Sequence, residues 1–344
     1  MSTLRAALVI LNWNGKELLE RFLPEIVKYT PENIEVIVAD NGSTDESVHF
    51  LNEHYPDIRI IKLNKNFGFA GGYNEALRQI EADVYILLNS DIEVTKGWVK
   101  PCLRMLADHS DIGALQPKIR SLNNKAYFEH AGAGGGFIDI LGYPFCRGRI
   151  FNTLEKDTAQ YDDSCEVFWA SGAALFVKAE AFWEAGGFDT RFFAHMEEID
   201  LCWHMQNLGY KIIYCPNSTV YHLGGGSLPK SNPRKTYYNF RNSLWMLAKL
   251  MPTVWFYSII TPRLMLDGLA AISFLFQGKV RDCLAVFRAH LSFFRHFPNM
   301  RKNKNGHVRK LPDQVFKGSI VWNYYILGKK TYRRLSKSAS IAKR

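Results

Sequence analysis

Three short stretches of this 344-residue chain carry side chains that could do chemistry together. Asn89-Ser90-Asp91 follows the apolar run Val84–Leu88. A carboxylate at a strand end can hold a hard divalent cation, Mg²⁺ or Mn²⁺, against nucleotide phosphates. Such ions take oxygen ligands and often use one or two carboxylates plus substrate phosphate. The same residues also suit a plain Asx turn. Glu197-Glu198-Ile199-Asp200 sets three carboxylates in four positions. They fit the first turn of a helix, where acids complement the dipole. One of them facing a cleft could instead take the proton of an attacking hydroxyl. His222 stands after a short apolar segment and before Gly224-Gly225-Gly226. It could ligate a metal through one imidazole nitrogen or serve only the packing. The small-residue bend at Trp169-Ala170-Ser171-Gly172-Ala173 would let a substrate approach the backbone.

Alternating elements must position these groups. The apolar runs Ala6–Leu11, Ile34–Ala39, Ile58–Leu63 and Val84–Leu88 predict four strands. Helical spacing predicts helices over Lys16–Tyr29 and Tyr73–Ile80, and a third opening at Ser43 with Glu46 three residues on. Strands alternating with helices imply an α/β fold with a mainly parallel sheet, and continuous apolar strands imply burial on both faces. Ligands bind such sheets beyond the carboxyl ends of the strands. Those ends read Asn12-Trp13-Asn14-Gly15, Asp40-Asn41-Gly42-Ser43, Asn64-Lys65-Asn66 and Asn89-Ser90-Asp91, which together predict a polar ligand crevice. Further on, Glu166–Lys178 predicts a strand pair or a bent strand. Ala179–Ala185 and Glu198–Leu208 predict helices, and Lys211–Cys215 and Ser218–His222 short strands. No GxGxxG opens a helix after the first strand, and Gly132–Gly136 lacks the Lys-Ser/Thr of a phosphate loop, which excludes the common dinucleotide and P-loop folds.

In order along the chain, VILNWNG (9–15), VADNGSTD (38–45), NKNFGFAGGYNEAL (64–77), YILLNSDIEV (85–94), WASGAALFVK (169–178), GGFDTRFFAHMEEIDLCWH (186–204) and YHLGGGS (221–227) resemble the glycosyltransferase family 2 enzymes of GT-A fold, in particular their bacterial rhamnosyltransferase-like branch. The resemblance covers about two-thirds of the chain. It implies that Asn12 and Asp40 line the nucleotide pocket, with Asp40 on the base and Asn66 and Asn74 near the nucleoside. Asn89, Ser90 and Asp91 would form the metal motif, with Asn89 in place of its first acid, and His222 would complete the metal site. Glu198, or its neighbour Glu197, would be the catalytic base. It also implies Mg²⁺ or Mn²⁺ and a nucleotide-diphosphate sugar donor, a dTDP- or UDP-sugar. The transfer would be inverting, to a glycan or lipid-linked acceptor of the cell envelope.

Composition divides the chain. Residues 1–227 hold 20 Lys/Arg against 30 Asp/Glu, and residues 228–344 hold 23 against three, a surplus of twenty positive charges. We therefore expect a catalytic domain over 1–227 and a helical, basic, membrane-associating region over 228–344. Its apolar runs Leu250–Thr261 and Gly268–Gly278 are each too short to cross a bilayer, so helices lying on an anionic membrane surface are expected. The polybasic clusters Arg301-Lys302-Asn303-Lys304, Lys329-Lys330 and Arg333-Arg334 would add to that attraction. No nucleic-acid-binding motif is present. The first eleven residues are too short and polar for a signal peptide, and six singly spaced cysteines suit a reducing compartment. The expected location is cytoplasmic, peripheral on the inner face of the plasma membrane. Two rival expectations are a sugar-phosphate nucleotidyltransferase and a non-catalytic nucleotide-sugar-binding protein.

Overall fold

The computed structural model describes residues 4–224, 232–302 and 310–336. The first ninety residues fold as β1 (Ala6–Asn12), α1 (Lys16–Tyr29), β2 (Glu35–Asp40), α2 (Ser47–His54), β3 (Arg59–Lys62), α3 (Gly68–Leu77) and β4 (Val84–Asn89). β1 pairs in parallel with β2 and β4, and β2 with β3. Side chains of β1 alternate between two cores. Leu8 and Ile10 pack with Phe22 and Leu23 of α1, while Ala7 and Val9 pack with Tyr73 and Leu77 of α3.

After the short β5 (Ile92–Val94) and α4 (Val99–Asp108), β6 (Ile112–Ser121) enters the same sheet. A separate small sheet comprises β7 (Gly136–Ile138), β8 (Pro144–Cys146), β9 (Arg149–Ile150) and β10 (Thr153–Leu154). The chain returns through β11 (Cys165–Glu166), β12 (Ala174–Lys178), α5 (Ala179–Glu184), α6 (Glu197–Asn207) and β13 (Lys211–His222). The main sheet runs β11-β13-β6-β12-β4-β1-β2-β3, with β5 added against β13. It is mixed: β12 is antiparallel to both β4 and β6, while β13 is parallel to β6. The six cysteines are free.

Three local expectations change. The helix expected from Ser43 begins at Ser47, and Ser43 does not cap it; the Ser43 hydroxyl instead accepts from the Asn14 amide at 2.9 Å. α3 starts at Gly68, five residues before the apolar periodicity begins. Its glycines, poor helix formers, are required by space: a Cβ on Gly72 would meet Leu11 and Asn41 at 2.9 Å. The two short strands expected at 211–222 are one strand, kept continuous by a register shift between Cys215 and Thr219.

The C-terminal region forms α7 (Pro233–Leu250), α8 (Thr253–Phe276), α9 (Val280–Lys302), α10 (Ile320–Tyr325) and α11 (Tyr332–Ser336). The expected boundary at 227/228 lies outside the described residues, as do Gly225 and Gly226 of the triglycine and Asn303 and Lys304 of the first basic cluster. Residues on the two sides of that boundary share one core. Leu244, Leu247, Ile320 and Tyr332 pack in the same cluster as Phe137, Phe145 and Trp203.

The expectation of two separate short apolar helices is overturned. Pro252 caps the start of α8, where its missing N–H costs nothing, and leaves Leu250 to the end of α7. The two apolar runs merge into one 24-residue helix, long and apolar enough to cross a membrane by length and composition. Its two charged residues, Arg263 and Asp267, are buried and paired at 3.0 Å, one turn apart, on the side facing the protein. Arg263 also donates to the Leu141 carbonyl and the Ser243 hydroxyl, and Asp267 accepts from the Tyr143 hydroxyl. These bonds hold one face of α8 against the body. The other face exposes Met265, Leu269, Ile272 and Phe276, continuous in character with Leu284, Phe287, Leu291 and Phe294 of α9.

Candidate active site

The loops at the strand ends, expected to line a crevice, are tied to one another by their own side chains. Asn12 donates from Nδ2 to Asp40 Oδ1 at 3.2 Å and to Ser43 Oγ at 3.3 Å, and Asp40 Oδ2 accepts from the Ser43 amide at 3.1 Å. Asn12 Oδ1 is buried and has no hydrogen-bond partner among the described residues. Asn41 ties the second loop to the third, donating to Asn66 Oδ1 at 3.2 Å and to the Gly68 carbonyl at 3.0 Å. Asn74 departs from its expected place. Its amide bonds the Phe188 backbone in both directions, at 2.8 and 3.0 Å, so it staples α3 to the turn before α6 and is buried there. Sequence reading missed Asn14 and Asn41, although both stand in the Asn-rich strand ends that predicted the crevice.

Asn89 and Ser90 close β4, and the Asn89 amide donates to the Ala173 carbonyl at 3.0 Å. Asp91 follows at once, and β5 then pairs antiparallel with β13, opposing Ile92 to His222. This register sets His222 Nε2 3.1 Å from Asp91 Oδ1. The other ring nitrogen, Nδ1, lies 3.1 Å from Oε2 of Glu129, a buried carboxylate that the sequence did not single out. No motif marks Glu129; only the pairing of β13 with β6 brings it, from 93 residues away, to His222. Burial alone would lower the His222 pKa, but hydrogen bonds to the two carboxylates outweigh it and push it up to about 10. Among the described residues no group of three His, Cys, Asp or Glu forms a ready metal cage. One carboxylate and one imidazole would suit a divalent ion that displaces the Nε2 proton and draws its remaining oxygen ligands from a diphosphate.

On the opposite wall, α6 opens with Glu197 and Glu198. Phe193, His195 and Met196 just before it have φ of 63°, 70° and 75°, a left-handed region that side-chain-bearing residues seldom adopt. This loop aims the helix start. Glu197 points into the core, 4% exposed, while Glu198 is half-buried. Among the described residues neither carboxyl finds a partner for its Oε2. Burial raises both pKa values, Glu197 well above the usual carboxylate range and Glu198 to about 7. A Cβ on Gly172 would come within 2.9 Å of the Phe69 ring and 3.8 Å of Glu198 Cβ, so the small-residue bend adjoins Glu198. Through Ala173 and Asn89 that bend leads directly to Asp91. His204 lies 3.9 Å from Asp200, within the packing of α6.

The strained loop is held from the C-terminal region. Asn242 of α7, fully buried, donates from Nδ2 to the carbonyls of Phe192, Ala194 and His195 at 3.0, 2.9 and 2.7 Å. Arg241 adds bonds to the Arg191 and Phe192 carbonyls. Lys249 reaches Asp189 at 2.6 Å and Asp200 at 2.8 Å, bracketing the loop and α6. On its other side, the Phe193 carbonyl accepts from the Phe69 amide at 2.7 Å, and a Cβ on Gly68 would strike that oxygen at 2.5 Å. None of these α7 residues was expected in the site.

Residues 7–176 match the family described as glycosyl transferase family 2. Over 260 residues the chain is 29% identical to an N-acetylglucosaminyl-diphospho-decaprenol L-rhamnosyltransferase of Mycobacterium tuberculosis, an alignment spanning 69% of this chain and 84% of that one. A crystal structure of GalNAc-T7 with UDP, GalNAc and Mn²⁺ superposes with a TM-score of 0.55 at 16% identity, over 72% of this chain and 48% of that one. The mannosyltransferase PcManGT from Pyrobaculum calidifontis, in complex with GDP-Man and Mn²⁺, gives 0.52 at 16% identity over 88% and 85%. The fold is GT-A-like, residues 7–176 carry a glycosyl transferase family 2 domain, and the chain is a glycosyltransferase that fits the rhamnosyltransferase-like branch of that family, whose enzymes are inverting.

Proposed function

We propose that this glycosyltransferase moves a sugar, with inversion, from a dTDP- or UDP-linked donor to a hydroxyl of a lipid-linked cell-envelope glycan, working from the cytoplasmic face of the membrane. The observation that carries this reading is the meeting, around the bend 171–173, of two unlike groups. One is the Asp91–His222 pair and the other is Glu198, whose Oε2 has no partner among the described residues. Asp40, Asn12 and Asn66 then take the nucleoside, and Asn12 Oδ1, without a partner among the described residues, is an acceptor that a small shift of the loop would offer to it. Asp91 and His222 would hold Mg²⁺ or Mn²⁺, which when bound offsets the charge growing on the departing diphosphate. The Mn²⁺ held by the two structural relatives supports that assignment. Glu198 takes the proton of the acceptor hydroxyl as that oxygen attacks the anomeric carbon from the face opposite the diphosphate. A carboxylate pKa near 7 suits a base working near neutrality, whereas the more deeply buried Glu197 stays protonated. The lipid-linked acceptor and inner-face placement rest on the exposed apolar face of α8 and α9, on the surplus of positive charge after residue 227, and on the lipid acceptor named for the Mycobacterium tuberculosis relative.

A thermal-shift screen of nucleotide sugars with Mn²⁺ tests the reading, since a ligand of the folded state raises apparent stability by mass action. The expected result is stabilisation by one dTDP- or UDP-sugar that requires the metal, followed by turnover when a lipid-linked acceptor is added. Binding without turnover on any acceptor would favour a non-catalytic protein. Release of diphosphate from a nucleoside triphosphate and a sugar phosphate would favour a nucleotidyltransferase.

A further inference from the structure

α7 and α9 enclose a groove of about 890 Å³ whose lining differs from the rest of the surface. Arg281, Arg288 and Arg295 recur every seven residues along α9, close to two helical turns, and so fall on one stripe. Arg234 and His296 join them in the groove wall, and none of the described residues that line it is a carboxylate. The four arginines make no ion pair among the described residues, although the arginines of α4 and α8 each pair with an acid one turn away. Asp282, the one acid on α9, accepts from the Thr236 hydroxyl of α7 and does not line the groove. Four unpaired guanidinium groups in one concavity repel one another, and a bound anion relieves that repulsion; the planar guanidinium fork fits phosphate oxygens two at a time.

Two further features fix what kind of anion belongs there. The exposed apolar residues Leu284, Phe287, Leu291 and Phe294 run along α9 beside the arginine stripe, so the groove lies at the edge of an apolar face. At its other edge, the Tyr238 ring stacks on Phe193 with centroids 5.8 Å apart, and Phe193 stands five residues before Glu198 in the loop that sets α6. A flat basic patch would serve a diffuse leaflet charge, whereas a concave site suits one discrete headgroup. We propose that this groove is the subsite for the phosphate or diphosphate of the lipid-linked acceptor. In it the arginines grip the phosphates, the acceptor's chain lies along the apolar face of α8 and α9, and its sugar passes Tyr238 toward Glu198. The proposal rests on the lipid-linked acceptor inferred above and adds where that acceptor is held.

The test uses the full chain in EDTA, so that metal-assisted binding of a diphosphate at Asp91 and His222 does not contribute. Farnesyl diphosphate is the probe, with farnesol, inorganic diphosphate and phosphatidylglycerol vesicles as comparators, all by titration calorimetry. The wild type should bind farnesyl diphosphate at least about tenfold more tightly than farnesol or diphosphate alone. R288Q/R295Q should lose at least about tenfold in that affinity, the scale of two charge-assisted bonds, and R288K/R295K should retain part of it. The Mn²⁺-dependent thermal shift with the best nucleotide sugar should be the same in all three proteins, which shows that the double variants fold. Unchanged farnesyl diphosphate affinity in R288Q/R295Q overturns the proposal. So does loss of vesicle binding alone, which would assign the stripe to the bulk leaflet. Failure of every nucleotide sugar to stabilise the wild type, with farnesyl diphosphate binding intact, would sink the glycosyl-transfer reading and leave the groove standing.

Discussion

Asn12, Asp40, Asn41 and Asn66 hold one another across loops separated by 25 to 28 residues, within a single run of alternating strands and helices. The wall that carries Glu198 is made differently. Its loop has three left-handed residues, and the bonds that hold it come from Asn242 and Lys249, 47 and 49 residues further along the chain. On the proposed function, the nucleotide side is thus organised by the sheet that bears it, and the acceptor side by a helix that belongs to the basic C-terminal region. Specificity for the donor and placement of the base are therefore separable, and substitutions should be able to damage either wall alone.

The sharpest break of that comparison is at Asp91. Asp91→Ala removes the carboxylate that faces His222 and should abolish Mn²⁺-dependent donor binding while the fold remains; donor affinity by calorimetry that still responds to Mn²⁺ would show that the cation sits elsewhere. Next comes Glu198→Gln, nearly isosteric and unable to take a proton. It should bind donor normally and lose at least about 100-fold in kcat, the low end for a lost general base. A dead Glu197→Gln beside an active Glu198→Gln would reverse the assignment of the two carboxylates. Asn242→Ala separates the walls directly. Leaving three loop carbonyls without their donor costs on the order of 1–3 kcal/mol. It should lower kcat by about tenfold or more, since 1.36 kcal/mol is a factor of ten, while donor affinity stays unchanged. A matching loss of donor affinity would mean that the two walls are one cooperative unit.

The smallest expected effect concerns stability. The Glu198 pKa is about 7 in the folded chain against an ordinary 4.5. Between those values the unfolded chain has lost the proton that the folded chain keeps, so this group makes stability fall as pH rises from 4.5 to 7 and leaves it level above. Glu198→Gln removes that dependence. The variant should melt higher than the wild type at pH 8 and close to it at pH 4.5 in parallel scans. An equal difference at both pH values would mean that the carboxyl is not held protonated by its burial.

What the sequence revealed divides along the same line. Continuous apolar runs and the Asn- and Asp-rich ends after them predict β1 to β4 and their crevice, because period and turn chemistry are local properties. The merging of two apolar runs into α8 was hidden because Pro252 looks like a breaker until its place at a helix start is known, and because Arg263 and Asp267 look exposed until they are found paired one turn apart. Glu129 and Asn242 carry no local mark, since each acquires its partner only through tertiary pairing. One signal was available for Asn242: an uncharged polar residue just ahead of the apolar run Leu244–Ala248 of α7, where burial of an amide requires bonding partners. Asn74 misled for the opposite reason, since a polar residue in a recognisable motif stretch proved to be a staple between α3 and the turn at Phe188.

The clamp on the loop before α6 also orders events during biosynthesis. A ribosome adds roughly 5–20 residues per second. The strands that build the nucleotide pocket therefore emerge first, and the Phe192, Ala194 and His195 carbonyls follow without their donor. Asn242 leaves the tunnel later, and only then can the loop close and present Glu198. A nascent chain halted before α7 can gather donor but has no fixed base to spend it with. On the proposed function, the enzyme thus becomes competent at nearly the moment its exposed apolar helices, α8 and α9, begin to appear, so that the capacity to transfer sugar and the means of reaching a lipid acceptor would mature together.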